Sequence, residues 1–342
     1  MWTASGSDDA PSCAIEAAPL RCINPTEKLT GLPMPIPLLS GIRTLWREVH
    51  RTDAVIIHDA LYVTSIVAML TAKAQRKRTV LIQHIATIPF SSGFLRALMW
   101  VANLLVTRPM LWAADARVFI SDTVREDLLG KPPRHTSELL FNGVDESIFH
   151  PGEKCRPEAL SGYEIADATQ RIFFVGRYVE KKGLAVLHAL ARSRPDYTFV
   201  LAGTGPIKPC EWGLANVRDL GPQEQEVLAD LYRWADLLIL PSVGEGFPLV
   251  IQEAMACGLP VICGNPTDRA DPAATKWLHG VHINLSQPKA SAERCAEAID
   301  SLQLSTRERT TMARYALATY DWRKMAQRLM AIAQGPPTNA TA

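Results

Sequence analysis

The sequence has no charge bias, no cysteine pattern and no long apolar run, and each absence argues against a class of protein. Its 36 Lys and Arg residues nearly balance 35 Asp and Glu residues, which argues against a dedicated nucleic-acid-binding domain because such domains are strongly basic. Seven cysteines occur without a Cys-x-x-Cys pair, as expected of reduced thiols in a cytoplasm rather than of a disulfide framework. No stretch approaches the roughly 20 apolar residues of a membrane span. Asp8, Asp9 and Pro11 occupy the place of a signal peptide's apolar core, so we expect a cytoplasmic protein.

The most informative stretch is residues 235–263, which read ADLLILPSVGEGFPLVIQEAMACGLPVIC. Leu237–Leu240 is a short continuous apolar run, as expected of a strand buried on both faces, and prolines and glycines follow it before helical spacing resumes. Gly258 and Pro260 end that helix ahead of another apolar run. The stretch therefore predicts one βαβ unit of a parallel sheet, and ligands of such sheets bind at the strand ends, where this loop lies.

Two carboxylates stand out in this unit, Glu245 in the loop and Glu253 on a helix that is otherwise nearly all apolar. One interpretation places Glu253 on a narrow solvated stripe beside Gln252, as is usual for helical glutamates. The other holds the carboxylate for ligand hydroxyls, because a buried Glu needs partners for its acceptor oxygens. The loop chemistry, the position at a strand end and the apolar flanks favour the second interpretation.

The spacing of the two glutamates, with seven residues between them and Gly-Phe-Pro after the first, resembles the signature of the retaining glycosyltransferases of family 4. The resemblance covers roughly residues 54–333. It implies an α/β protein with the GT-B fold, in which two Rossmann-like doubly wound domains face each other across a cleft. We expect an acceptor-side domain over residues 1–150, a linker over 151–168, a nucleotide-sugar-binding domain over 169–318, and a helix over 319–334 that returns to the first domain.

A basic turn after the predicted strand at residues 171–176 indicates a phosphate site. Arg177 and Lys182 lie at a strand-to-helix turn, where two cations suit a diphosphate. By resemblance these two residues neutralise the donor's phosphates as the glycosidic bond breaks, and no metal takes part. Glu245 would contact the transferred sugar, and Glu253 the ribose hydroxyls. The resemblance implies a UDP- or GDP-linked sugar as donor and no other cofactor, and it adds donor contacts at Gly203, Leu220, Gly246, Phe247, Pro248 and Leu249.

Two histidines end predicted strands of the first domain. His58 closes the strand at residues 54–58 and His84 closes the strand at residues 79–84, so both face the ligand side of the sheet. A structural and a functional histidine are equally compatible with His58. His84 resembles the histidine that the family often places near the donor sugar. We therefore predict that His84 is a catalytic residue that makes a polar contact to the reacting sugar, with an acid or base role as the alternative.

The first domain is basic although the whole chain is not. From Arg21 to Arg117 there are 12 Lys and Arg residues against 5 Asp and Glu residues, and Lys73, Arg76, Lys77 and Arg78 cluster. Residues 94–113 follow a long apolar helix pattern that contains two tryptophans. A basic domain with such a helix suits peripheral binding at the inner face of an anionic membrane, where a polyprenyl-linked acceptor would be found. The alternative is a solvated basic face beside a core helix.

The rest of the chain alternates between strand and helix patterns, as in a doubly wound parallel sheet. Residues 1–40 show little periodicity and do not match the opening strand, glycine turn and helix of the family, so we expect the natural chain to begin further upstream. Further strands are predicted at residues 116–120, 138–141, 197–202 and 217–220, and helices at 41–51, 61–75, 122–128, 223–234, 290–302, 306–319 and 322–333.

The leading prediction is an enzyme that moves a hexose from a nucleotide sugar to a glycan or lipid-linked acceptor with retention at the anomeric carbon, as in bacterial surface polysaccharide synthesis. The GT-B fold also carries nucleotide-sugar epimerases, whose catalytic pattern is not evident here. The alternative is a truncated, weakly active or inactive homologue that binds nucleotide sugar. The intact basic turn and glutamate pair favour the enzyme, whereas the missing opening of the first domain favours the binding protein.

Overall fold

The computed structural model describes residues 18–24, 35–86, 93–131, 136–163 and 170–335, without the side chains of residues 94–96. Within these ranges the chain forms two separate parallel sheets flanked by helices, and one short antiparallel pair of strands. Of residues 1–40, which do not match the opening of the family, residues 1–17 and 25–34 lie outside the described ranges, as do residues 164–168 of the predicted linker.

The first sheet contains four parallel strands in chain order. The elements of this part are β1 (Cys22–Ile23), β2 (Ile36–Pro37), α1 (Leu39–His50), β3 (Ala54–His58), α2 (Val63–Ala74), β4 (Arg78–Gln83), α3 (Gly93–Ala102), α4 (Arg108–Ala113), β5 (Ala116–Phe119), α5 (Asp122–Leu129) and β6 (Glu138–Leu139). Strands β3 to β6 pair in that order, and β1 pairs with β2. Leu81 and Phe119 of the sheet are buried in one cluster with Leu111 of α4 and Leu128 of α5, which fixes the helices on that face.

The second sheet contains six parallel strands. Its elements are β7 (Gln170–Val175), α6 (Leu184–Ser193), β8 (Tyr197–Ala202), β9 (Val217–Asp219), α7 (Gln225–Trp234), β10 (Leu237–Leu240), α8 (Leu249–Ala256), β11 (Val261–Gly264), β12 (Leu278–Val281), α9 (Pro288–Ser301), α10 (Thr306–Thr319) and α11 (Trp322–Gln334). The strand order is β9-β8-β7-β10-β11-β12, which is the doubly wound order of nucleotide-binding sheets. The order reverses between β7 and β10, and ligands bind at such a switch point.

The last helix, α11, packs on the first sheet. Met325 and Ile332 of α11 are buried in one cluster with Val80 and Ile82 of β4. The Asp321 side chain accepts hydrogen bonds from the first backbone N–H groups of the helix and so fixes its start. The two sheets are therefore connected twice along the chain, once after β6 and once through α11.

The long apolar helix predicted at residues 94–113 is interrupted by a π-helical turn at Asn103–Thr107. Pro109 explains the interruption, because proline has no N–H to donate to a carbonyl four residues earlier. Asn103 is buried, and its amide donates to the Ala86 carbonyl while Thr107 donates to its Oδ1. None of the helices in the described ranges combines the length and apolarity needed to cross a membrane.

Candidate active site

The two strands at the switch point end in loops that are held against each other. The turn after β7 runs through a 3-10 turn at Glu180–Lys182 to Gly183, whose φ of 76° suits glycine. A Cβ at Gly183 would lie 2.1 Å from the carbonyl oxygen of Pro241, which follows β10. The backbone N–H of Val243 also donates to the Lys181 carbonyl at 3.0 Å. The basic turn and the Glu245 loop, far apart in sequence, therefore form one site.

Lys182 and Glu245 form an ion pair at the centre of this site. Lys182 Nζ lies 3.2 Å from Glu245 Oε1, and the two side chains are only 12% and 13% exposed. Lys181 Nζ lies 3.6 Å from the same oxygen. Burial lowers the pKa of Lys182, and the negative charge of Glu245 opposes that shift. The site thus holds a largely buried cation, Lys182, that is paired with the Glu245 carboxylate. A bound anion would have to compete with Glu245 for this cation.

Arg177 lies on the same turn with its side chain exposed. It makes no ion pair or hydrogen bond with any other side chain of the described ranges. The two predicted phosphate-binding cations therefore differ in state, because Lys182 is paired and largely buried whereas Arg177 is open to an incoming anion. Together they supply the positive charge that a diphosphate needs.

Glu253 is bonded to a buried tyrosine that the sequence did not single out. Tyr232 of α7 donates to Glu253 Oε2 at 2.8 Å. Burial raises the pKa of Glu253, and the tyrosine hydroxyl opposes the shift. The alternative of a solvated stripe is wrong, because the neighbouring Gln252 is 0% exposed. Tyr232 carries no signal of its own in the sequence, since only the packing of α7 on α8 brings its hydroxyl to the carboxylate.

The loops after β8 and β9 lie at the same edge of the sheet, on the side of β7 opposite β10. A Cβ at Gly203 would lie 1.9 Å from the Gly176 carbonyl oxygen, so only glycine allows this approach of the two loops. Leu220 packs partly buried against the core. Tyr178 donates to Asp219 at 2.8 Å, and this bond ties the basic turn to the end of β9. Sequence reasoning missed both Tyr178 and Asp219.

The Glu245 loop also contacts the first sheet. A Cβ at Gly246 would lie 2.4 Å from the His84 carbonyl oxygen, so glycine lets the loop approach the end of β4. The Phe247 ring lies 5.6 Å from that of Phe141 and 5.5 Å from that of Tyr320, both edge-on. Pro248 then precedes α8, and Leu249 begins that helix with its side chain partly exposed. The Glu245 loop and the end of β4, where His84 lies, are thereby brought into contact.

The two predicted histidines contact each other. His58 Nδ1 lies 3.0 Å from His84 Nε2, and the rings stack with their centroids 5.3 Å apart. Burial lowers the pKa of both imidazoles, and the charge of His84 lowers that of His58 further. Asp59 opposes the shift in both cases. The pair is therefore held largely neutral near neutral pH.

In the part of the chain that the structure describes, no group of three or more His, Cys, Asp or Glu side chains is arranged to hold a metal ion. Positive charge at the strand ends of the second sheet is supplied by Arg177, Lys181 and Lys182. The catalytic and donor-binding roles of Arg177, Lys182, Glu245, Glu253 and His84 stay predictions.

Comparison with known families matches the two halves of the chain to two related profiles. "Glycosyl transferases group 1" matches residues 156–318, and "Glycosyltransferase Family 4" matches residues 7–148. The alpha-maltose-1-phosphate synthase of Mycolicibacterium smegmatis is 30% identical over 221 residues, which cover 58% of this chain and 56% of that protein. The D-inositol 3-phosphate glycosyltransferase of Mycolicibacterium gilvum is 31% identical over 204 residues, covering 54% and 43%. The chain thus spans about half the length of the curated relatives it matches.

Solved structures share the fold. Anabaena Alr3699/HepE in complex with UDP superposes with a TM-score of 0.63 at 18% identity, covering 86% of this chain and 82% of that one. Sucrose-phosphate synthase from Thermosynechococcus elongatus superposes with a TM-score of 0.61 at 19% identity, covering 87% and 79%. The two profiles jointly match most of the chain, and the doubly wound sheets agree with the expected architecture. The chain therefore belongs to the family 4, or group 1, glycosyltransferases with the GT-B fold.

Proposed function

We propose that the protein is a retaining hexosyltransferase that moves a sugar from a nucleoside diphosphate to an acceptor hydroxyl. The observation that supports this most is the convergence of Lys182, Glu245 and the open Arg177 at the switch point between β7 and β10. A buried cation paired with a carboxylate at this place suits a ligand that carries both a diphosphate and a sugar.

In the proposed reaction the bond between the anomeric carbon and the donor's phosphate oxygen breaks, and the negative charge of the departing diphosphate increases. Arg177 and Lys182 stabilise that charge, since cations aimed at developing charge lower the barrier. Glu245 moves from its pairing with Lys182 to hydroxyls of the transferred sugar. The acceptor oxygen bonds to the anomeric carbon on the face that the phosphate leaves, which gives retention, and its proton passes to the departing phosphate oxygen.

The sugar lies, in this proposal, between the Glu245 loop and the end of β4. Gly246 is pressed against the His84 carbonyl, so a sugar held by Glu245 is within reach of the His84 ring. Glu253 and the loop ends at Gly203 and Leu220 bind the nucleoside. Uridine is the base that we favour, because the solved neighbour Alr3699/HepE is described in complex with UDP and with UDP-glucose.

We place the acceptor on the first sheet, as a glycan or lipid-linked hydroxyl at an anionic membrane. Residues 60–114 contain no Asp or Glu, and Trp100, Leu105 and Trp112 are 65%, 67% and 68% exposed on the segment 93–113. Lys73, Arg76, Lys77 and Arg78 line an open cleft with Asp115. Exposed tryptophans and clustered cations within one half of the chain suit the interface of an anionic bilayer.

A phosphorylated polyol or sugar is the competing acceptor class. Relatives and neighbours carry the names alpha-maltose-1-phosphate synthase and D-inositol 3-phosphate glycosyltransferase, and one is described in complex with glucose-6-phosphate. A screen of water-soluble sugar phosphates against polyprenyl phosphate sugars in vesicles would distinguish the two classes. Product formed only in vesicles supports the lipid-linked acceptor, and product formed only in solution overturns it.

The central test combines calorimetry with analysis of the product. UDP, GDP and ADP are titrated into the wild type, into Lys182→Met and into Lys289→Met, a control with an exposed lysine on α9. We expect Lys182→Met to weaken binding of the preferred nucleotide and the control to leave it unchanged. The anomeric coupling of the product, read by NMR, reports retention or inversion. Equal affinity of all three proteins would refute the assigned phosphate site.

The alternative function is nucleotide-sugar binding without transfer. It predicts that the protein binds UDP but forms no product with any acceptor class. It also predicts that the protein does not hydrolyse UDP-sugar to UDP. Turnover with any acceptor excludes it. The Lys182 and Glu245 pair is compatible with both functions, so activity decides between them.

A further inference from the structure

The end of β3 carries a group that the proposed transfer reaction does not use. His58 is the last residue of β3, and its ring reaches the ring of His84 on the neighbouring strand end. His84 is the residue that we place near the sugar. The contact is between side chains 26 positions apart, so neither periodicity nor a local motif indicated it.

Both backbones at this contact are fixed. The Ser65 hydroxyl donates to the His58 carbonyl at 2.9 Å. The Asp59 carboxylate accepts a hydrogen bond from the backbone N–H of His84 at 2.8 Å. Asp59 itself has a φ of 52°, which is uncommon for a residue other than glycine. The Asp59 N–H also donates to the Ile82 carbonyl at 2.8 Å. The two rings are therefore held at their distance by both strand ends.

A contact of 3.0 Å between two imidazole nitrogens needs one N–H and one lone pair. Two cationic imidazoles at that distance would repel, so the pair carries at most one extra proton. Since Nε2 of His84 is engaged by His58, only Nδ1 of His84 remains, and it bonds to no other residue in the described ranges. The state of Nδ1 follows from the state of Nε2, because a neutral imidazole carries one proton.

We infer that His58 is a positioning residue of the transfer site, which orients the His84 ring toward the sugar and couples the tautomer of His84 to its own. The inference rests on the proposed function for the role of His84, and on the 3.0 Å contact for the role of His58. A ring held in one tautomer presents either a donor or an acceptor to a sugar hydroxyl, but not a mixture of the two.

The test compares His58→Phe, which keeps a ring and removes the nitrogen, with His58→Asn, whose amide replaces Nδ1. His50→Phe is the control, because His50 is an exposed histidine at the end of helix α1, which precedes β3. Selective ¹⁵N labelling of the 8 histidines reports the tautomer of His84 by NMR in the whole chain, with His84→Gln assigning its signals. We expect the tautomer ratio of His84 to shift in His58→Phe relative to the wild type, and to stay at the wild-type ratio in the control.

Kinetics give the second readout. We expect His58→Phe to lower kcat about tenfold, the loss of roughly one hydrogen bond in the reaction, with KM for the donor within about twofold. His58→Asn should recover most of the lost kcat. His58→Phe should add nothing to His84→Gln, because the two residues act through one contact.

An unchanged tautomer ratio of His84 in His58→Phe overturns the inference, and so do additive effects of the two substitutions on kcat. A wild type that neither binds nucleotide nor transfers sugar refutes the proposed function instead. The NMR comparison still decides the role of His58 in that case, because it needs no substrate.

Discussion

The ion pair between Lys182 and Glu245 leads to a prediction with opposite signs for its two partners. In the free protein Glu245 neutralises the cation that a diphosphate would bind, at 3.2 Å. Glu245→Gln removes this competitor and also removes the repulsion between the carboxylate and the phosphates. We therefore expect Glu245→Gln to bind UDP, which lacks the sugar, more tightly by about 1 kcal/mol, or roughly fivefold. Sugar transfer should fall sharply in the same variant.

Lys182→Met should act in the other direction. Losing one charge-assisted contact costs about 1.5–3 kcal/mol, which weakens UDP binding roughly 10- to 150-fold. It also leaves Glu245 with Lys181 alone, at 3.6 Å. We expect the free energy of unfolding to fall by about 1–3 kcal/mol in Lys182→Met, and to recover in part in the double variant with Glu245→Gln.

The assay is titration calorimetry with UDP at low and high salt, with thermal unfolding of the same samples. Salt should narrow the differences between the variants, because part of the effect is electrostatic. Burial lowers the pKa of Lys182, so UDP affinity should be lost as pH rises through a value below the usual range of lysine. In Glu245→Gln that loss should begin at lower pH, since Glu245 no longer supports the charge. If Glu245→Gln weakens UDP binding as much as Lys182→Met does, the competition between Glu245 and phosphate does not exist.

Three further predictions follow from the described geometry. Arg177→Ala should weaken UDP at least tenfold in calorimetry but leave uridine binding and thermal stability unchanged, because the side chain is exposed; equal loss for both ligands would contradict its phosphate role. Gly246→Ala places a Cβ 2.4 Å from the His84 carbonyl oxygen, so transfer should fall more than tenfold while UDP affinity stays within about twofold. Gly162→Ala, with open space around the Cβ, is its control, and unchanged transfer in Gly246→Ala would disprove the close approach. Replacing Trp100, Leu105 and Trp112 by serine should abolish salt-sensitive sedimentation with anionic vesicles, and sedimentation equal to that of the wild type would exclude this surface.

The second sheet was the most predictable part of the fold. Strands β8 and β10 and helix α10 have the predicted bounds. Strand β10 is a continuous apolar run, Thr198 alone interrupts the apolar run of β8, and the helix begins at a capping box on Ser305. Strand β12 (Leu278–Val281) was missed, since its histidine and glycine interrupt the apolar pattern. The interruption in the helix at residues 94–113 was also missed, although Pro109 is a local signal for it.

The candidate site was predictable by residue type but not by partner. The basic turn and the two glutamates were found from spacing and resemblance. That Lys182 pairs with Glu245, that Tyr232 bonds to Glu253, and that His58 meets His84 are contacts between distant elements. A pattern of hydrophobicity states which face of an element is buried, but it does not state which residue of another element lies against that face.

The position of Phe247 links the arrangement of the two sheets to the proposed chemistry. Phe247 follows Glu245 and Gly246 in the loop, and its ring contacts Phe141, near the end of the first sheet, and Tyr320, just before α11. Asp271 accepts from the Tyr320 hydroxyl at 2.7 Å, which fixes that ring. Phe141, on the connection after β6, and Tyr320, on the connection before α11, thus both contact Phe247, which lies two residues after Glu245. Any change in the separation of the sheets must therefore displace the Glu245 loop or break this aromatic packing, so the cleft geometry and the state of Glu245 are coupled.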